Sequence, residues 1–392
     1  MGGTVIASVE AIPLAALWED LYGGIEHVPP SLLRPSANFQ GLPRRGQFTT
    51  LVLVKDSDGA VGIGEAWGLP HSSVTSMIIN DLLRPAAVGR DADDIEGLWT
   101  LLTKAAEGLG HTRGFMLEAI SGLDIALWDL RGKRLGLPLH DLIGGRVRNR
   151  VPCYASPVRF SEDPTERVAI VRQFIDSGFT GVKIKAGRGV EQDTDYVASL
   201  REALGPDIRI MVDVNCGWDR KRTVAFAKAV EPYGVFWIEE PIPPDRPSEL
   251  AGIRRSIGIR IATGENDFTV SQFQQFAEHR AADIFTPNVT RCGGITGLKR
   301  IAELAEANGA DISLHGVGSG IMLAASLHCM SAFRNGICME YNRFPNPLRE
   351  TLATPSAAFR DSCLDVPEGP GLGIAVDWDV VERFRTDRRK PA

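Results

Sequence analysis

Polar residues close seven successive apolar runs in the second part of this 392-residue sequence. They are Lys183 and Lys185 in GVKIKAG, Asp213 in RIMVDVN, Glu239 in VFWIEEP, Glu265 in RIATGEN, Asn288 in DIFTPNV, His315 in DISLHG and Glu340 in CMEYN. A single acid after a strand is ordinarily a helix cap or a loop charge, and Asp219 reads that way. Asp213, Glu239 and Glu265 end three consecutive strands, which is a different matter. Gathered in one place they repel one another strongly unless a cation lies among them. No Cys or His is spaced with them, so the set is all oxygen, which suits Mg²⁺ or Mn²⁺ over zinc.

These strand ends need an architecture that brings them together. From about residue 150 short apolar strands, VPCYAS and the seven runs above, alternate with amphipathic helices. Eight strands with helices between them are what a (β/α) barrel of the TIM-like α/β class requires, and such a barrel gathers every strand C-terminus at one mouth. A doubly wound sheet would spread the same residues along a line. The first third reads otherwise. Strands are expected at 4–12, 47–54 and 60–65, the last two joined by the turn signal Lys55-Asp56-Ser57-Asp58-Gly59. Helical periodicity follows at about 72–88, 93–107 and 115–135, the last with Leu117, Ile120, Leu123, Leu127 and Leu130. The expected division is an α+β domain over 1–135, the barrel over 136–345 (modified from the ideal form), and a C-terminal segment over 346–392. Leu17 to Gln47 is rich in Gly, Pro and Arg without periodicity, the mark of a lid, a binding loop or disorder.

VKIK, MVDVN, WIEEP and TGEN, followed by a His ending strand seven, resemble the mandelate racemase subgroup of the enolase superfamily. The resemblance spans nearly the whole chain. It implies an N-terminal capping domain, a C-terminal segment that returns to it, and one Mg²⁺ held by Asp213, Glu239 and Glu265. It also implies that Lys185 is the base on one face of the substrate, with Lys183 beside it against the substrate carboxylate and His315 on the opposite face. Glu340 would hydrogen-bond the carboxylate and Asn215 would approach it. The chemistry is abstraction of a proton α to a carboxylate, whose loss makes a dianionic enediolate that a divalent cation and an ammonium stabilise. Residues two apart on a strand share a face, so Lys183 is expected to depress the Lys185 pKa towards that of a usable base. Glu340 must be protonated to donate.

One departure concerns strand six. Relatives with a His base pair it with an Asp there, whereas this chain has Asn288; Asp283 falls too early. An Asn orients an imidazole without favouring its cation. That suits a proton donor to a departing oxygen and favours β-elimination, an acid-sugar (aldonate or aldarate) dehydratase, over racemisation. An epimerase, a sugar-acid lactone cycloisomerase and a non-catalytic barrel are the alternatives. By the resemblance, specificity lies in the capping domain. His27, Arg34, Arg44, Arg45 and His71 there suggest a polar substrate, with Trp67 and Tyr22 either lining the lid or packing the domain interface.

The remaining features narrow the class. A net charge of −6 leaves no basic surface for nucleic acid, and Arg388-Arg389-Lys390 reads as a solvated cluster. The six cysteines show no metal-ligand spacing and read as reduced thiols. Neither a signal peptide nor a membrane-spanning run is evident. A cytoplasmic protein acting on a small carboxylate is expected, and the family resemblance adds a homo-oligomer. Gly316-Val317-Gly318-Ser319-Gly320 reads as a turn.

Overall fold

Three strands, β1 (Ile6–Leu17), β2 (Gly46–Asp56) and β3 (Val61–Trp67), form an antiparallel sheet in that order near the N-terminus. The computed structural model describes residues 3–36, 41–158 and 161–388. Residues 37–40 of the Leu17–Gln47 stretch, and Arg389 and Lys390 of the basic cluster, lie outside them. The expected turn between β2 and β3 is closed by Asp56, whose Oδ1 accepts from the backbone of Asp58 (3.0 Å) and Ala60 (2.8 Å). β1 runs five residues past its expected end, through Pro13. A proline cannot donate to a ladder, and β1 tolerates it because it is an edge strand.

Helices α1 (Ser72–Ile78), α2 (Ile95–Gly108) and α3 (Phe115–Leu135) complete this domain. The single helix expected over 72–88 is interrupted by a π turn at Ile79–Leu83. Pro85 lacks the N–H that would bond the Asp81 carbonyl, so regular helix cannot pass through it. α3 lies directly on β3: a Cβ at Gly64 would come within 2.2 Å of the Gly122 carbonyl oxygen.

Eight strands then close a parallel barrel. They are β4 (Arg150–Val158), β5 (Gly181–Lys185), β6 (Arg209–Asp213), β7 (Val235–Glu239), β8 (Arg260–Thr263), β9 (Ile284–Phe285), β10 (Asp311–Leu314) and β11 (Gly336–Asn342). Each pairs with the next, and β11 pairs with β4 to close the ring. The helices between them are α4 (Pro164–Asp176), α5 (Val190–Leu204), α6 (Arg220–Val230), α7 (Pro247–Arg254), α8 (Val270–His279), α9 (Gly294–Ala307) and α10 (Gly320–Ala332). Local chemistry starts several of them. Asp219 caps α6 through the Arg222 N–H at 2.8 Å, the cap its sequence position suggested. Thr269 and Gln272 form a capping box on α8.

The C-terminal residues return to the first domain. Leu372 N donates to Asp129 Oδ1 on α3 (2.8 Å), and Thr386 N donates to the Pro13 carbonyl of β1 (2.9 Å). The architecture is the expected (β/α) barrel with an antiparallel-sheet capping domain. No helix of the described residues is long and apolar enough to cross a membrane.

Candidate functional site

Inside the barrel a buried apolar layer of Tyr154, Met211, Trp237, Ala262, Ile284 and Cys338 fills the bore. The strand period of two carries the same inward face up to the next layer. Met211 leads to Asp213, Trp237 to Glu239 and Cys338 to Glu340. The acids therefore face one another because the residues below them face one another. Asp213, Glu239 and Glu265 are buried, and each offers an oxygen within 4.8 Å of the other two. Asn215 Nδ2 bridges Asp213 Oδ2 and Glu265 Oε1, both at 3.2 Å. Among the described residues, the buried Glu239 Oε1 and Glu265 Oε2 have no hydrogen-bond partner. Three convergent carboxylates with orphaned oxygens fit a hard divalent cation. The backbone just beyond the strands is strained to place them: Asn215, Cys216 and Glu240 hold positive φ angles of 46°, 62° and 39°.

The two lysines occupy different environments. Lys183 is fully buried beneath the acids, with Nζ 2.9 Å from Glu239 Oε2, 3.6 Å from Glu340 Oε2 and 3.7 Å from Asp213 Oδ2. It is not among the residues lining the cavity. Lys185 lines the cavity, contacts Asp213 Oδ2 and donates to Asn215 Oδ1 at 2.8 Å. Burial and the Lys183 charge lower the Lys185 pKa as expected, but Asp213 and Glu265 outweigh them and the net shift is upward. The carboxylates around the ammonium pair, and not the pair alone, decide the sign. Glu340 also departs from expectation. Burial pushes its pKa up, but Lys183, His315 and Lys185 prevail and hold it far below the usual range, ionised rather than protonated. Glu239, pushed up by burial and by its fellow acids, titrates at about 8 despite Lys183.

His315 follows β10 and Lys185 ends β5, three strands apart one way round the ring and five the other. They therefore face each other across the mouth, and both line the same cavity. Asn288 Nδ2 lies 3.0 Å from His315 Nδ1. The orientation of that amide is set from behind. Asn288 Oδ1 accepts from the Thr290 backbone N–H (2.9 Å) and hydroxyl (2.6 Å), and a backbone N–H can only donate. The NH₂ group therefore faces Nδ1, which must accept, and the ring proton sits on Nε2. Nε2 points towards Glu265 Oε2 and Glu340 Oε2, each at 3.6 Å. Burial lowers the His315 pKa, with Glu265 and Glu340 opposing it. Asp283, by contrast, sits at the other end of β9 and binds Arg254 and the Ile261 N–H.

The loop after β10 is held close. Gly316 N donates to Glu340 Oε2 (3.1 Å), and a Cβ there would lie 1.9 Å from the Glu340 carbonyl oxygen. From the capping domain, Glu65 accepts from Ser319 N (2.9 Å) and Met322 N (2.8 Å), pinning the start of α10. Two residues on, Trp67 packs 5.8 Å from the His315 ring and 4.7 Å from the Arg291 guanidinium. Arg291 Nη1 donates to the Glu265 carbonyl (2.8 Å), and its Nε pairs with Glu118 on α3 (3.1 Å).

The cavity has a volume of about 430 Å³, ordinary for a small-molecule site. Lys185, Asn215, Glu265, His315 and Glu340 form its floor. The capping domain supplies a roof that includes Leu42, Pro43, Arg44, Phe48, Trp67 and Leu69. That roof is more apolar than the sequence suggested. Trp67, Arg44 and Arg45 line the cavity, whereas His27, Arg34, His71 and Tyr22 do not. His27 is exposed beside Glu26, Arg34 is exposed, and the exposed His71 caps α1 through Ser73 N at 3.4 Å. Glu65, Thr290 and Arg291 were missed. Thr290 and Arg291 lie within three residues of Asn288, which was the one signal available in the sequence.

Comparison with known proteins agrees with this geometry. The enolase C-terminal domain-like family matches residues 166–380, and the mandelate racemase / muconate lactonizing enzyme N-terminal domain matches residues 42–144. D-galactarolactone cycloisomerase of Agrobacterium fabrum is 34% identical over 86% of this chain and 90% of its own. Arabinonate dehydratase of Saccharolobus solfataricus is 30% identical over 90% and 94% respectively. A racemase from Streptomyces coelicolor A3(2) with bound magnesium superposes with a TM-score of 0.86 at 29% identity, covering 97% of this chain and all of that one. With both domains matched in order and relatives similar over nearly their whole length, the chain belongs to the mandelate racemase subgroup of the enolase superfamily.

Proposed function

We propose that this chain catalyses β-elimination on an acid sugar, as a dehydratase that converts an aldonate or aldarate to a 2-keto acid. The observation that carries the reading is the Asn288 amide, held by Thr290 so that His315 keeps its proton on Nε2, on the cavity side opposite Lys185. In this reading Asp213, Glu239 and Glu265 hold one Mg²⁺. When bound, it would stabilise negative charge growing on the substrate carboxylate and offset the pull of those acids on the Lys185 ammonium.

Lys185, as the free amine, takes the proton α to the carboxylate. The electron pair left on that carbon forms a C=C bond to the β carbon, and the β C–O bond breaks. The neutral His315 imidazole gives its Nε2 proton to the departing hydroxyl, which leaves as water; the imidazolate regains a proton from solvent, the Lys185 ammonium releases one to solvent, and the enol product tautomerises to the 2-keto acid. Lys183 holds Glu239 and Glu340 in place from beneath, and Asn215 orients the Lys185 amine. Racemisation would ask His315 to take a proton from carbon, and an imidazole whose Nδ1 accepts from an amide is a weak base for that.

A second reading has its own support in the apolar roof. A lactone or anhydro ring presents fewer hydroxyls to Trp67, Phe48 and Leu69 than an open-chain acid does. The same two residues would then expel a ring oxygen that stays attached to the product, as a cycloisomerase. Mass spectrometry separates the two: dehydration loses water, whereas ring opening gives an isomer of the substrate. A panel of mono- and diacid sugars and their lactones, incubated with Mg²⁺ in D₂O, tests both. Absence of α-proton exchange and of turnover across the panel would sink the proposal.

A further inference from the structure

Four cations line the cavity: Lys185, Arg44, Arg45 and Arg291. Three have a carboxylate of their own, since Lys185 contacts Asp213, Arg45 contacts Glu19 and Arg291 contacts Glu118. Among the described residues, Arg44 forms no ion pair. It is only 7% exposed, and its hydrogen-bond partners among those residues are neutral. Nε donates to the Gly46 carbonyl at 3.2 Å and Nη2 donates to Gln47 Oε1. The guanidinium also lies over the rings of Trp18 (5.5 Å) and Phe344 (5.6 Å). Gln47 is anchored in turn, its Nε2 donating to the Pro345 carbonyl at 3.1 Å. The arginine is therefore fixed in place. Burial lowers its pKa to about 10 while the more distant Glu340 raises it, so it keeps its charge at neutrality.

A buried cation without a counter-ion is costly to a fold unless a partner arrives. Arg44 faces a cavity roofed by Leu42, Pro43 and Phe48, where low polarity strengthens any pair it makes. We infer that Arg44 is a specificity-determining residue that binds the second carboxylate of a dicarboxylic acid sugar or its lactone. A planar guanidinium held on two aromatic rings matches a carboxylate better than a sugar hydroxyl. This deepens the acid-sugar reading of the site and rests on it.

The test is binding of hexaric acids against the hexonic acids of matching configuration. It uses Lys185→Ala protein with Mg²⁺, so that no turnover intervenes, and calorimetry as the readout. At least one hexarate should bind about 100-fold more tightly than its hexonate. Adding Arg44→Met should remove that preference while leaving hexonate affinity within about 3-fold, and Arg44→Lys should retain part of it. Equal affinities for the two classes, or an equal loss of both in Arg44→Met, would overturn the inference. Should Arg44→Met fail to fold, the Arg44→Lys protein and the hexarate-to-hexonate ratio still decide. Turnover of hexonates with no hexarate preference would leave the elimination standing and remove Arg44. Arg44-dependent hexarate binding without α-proton exchange in the Lys185 protein would do the reverse.

Discussion

His315 can present a proton on Nε2 because Thr290 fixes the Asn288 amide one way round. Replacing that amide with a carboxylate should change the chemistry in a definite direction. In Asn288→Asp an anion would face Nδ1, the imidazolium would gain a partner, and the His315 pKa should rise, by about one unit or more. Ring-nitrogen NMR shifts check this: Nδ1 should be unprotonated in the parent protein and protonated in the variant at neutral pH. The acids make a second residue-scale prediction. Glu265→Gln removes one charge from the proposed ligand set and should weaken Mn²⁺ binding, read by EPR, by about 100-fold or more. The identities of these residues were legible in the sequence because each strand end is a local signal. Their protonation states were not. Lys185 is raised and Glu340 lowered by groups from several different strands, and sequence adjacency shows only the nearest neighbour, Lys183.

At the scale of elements, β3 of the capping domain braces the barrel. Glu65 takes two backbone N–H groups at the start of α10, and Trp67, on the same strand face, packs against His315 and Arg291. Glu65→Ala would strand those donors and should cost about 2–3 kcal/mol of stability, measured by chemical denaturation. It should also lower turnover, since α10 follows the His315 loop. The strands and helices themselves were readable from periodicity: α3 begins and ends where its apolar spacing indicates. What could not be read was this brace, because Glu65 and Ser319 are 254 residues apart in sequence. Nor does the local pattern show that β1 continues through Pro13, because that tolerance depends on β1 being an edge strand.

For the molecule as a whole, several buried carboxylates titrate unusually late. Burial raises Glu118, Asp124 and Asp267 to about 7 each, against Arg291, Thr296 and Arg113 respectively. Unfolded, the same groups titrate near 4.5 and 3.8. Between those values the folded chain keeps protons that the unfolded chain has released, so stability falls as pH rises through about 7. The buried His328, lowered to about 4 by burial, works the other way only below its ordinary value of 6.5. The melting temperature of the metal-free protein should therefore drop as pH rises from about 4.5 to 7 and level off above, three carboxyls outweighing His328, and Glu118→Gln with Asp124→Asn should flatten that slope. Barrel and cap together place Lys185 and His315, the proposed base and proton donor, on opposite sides of one cavity, and separating their two steps tests that proposal most directly. With an acid sugar that is turned over, Lys185→Ala should lose both α-proton exchange in D₂O and product formation, by roughly 1,000-fold or more. His315→Asn should lose product formation yet still exchange the α-proton. Exchange that survives in the lysine variant, or vanishes in the histidine variant while Mn²⁺ and substrate still bind, would contradict the assignment.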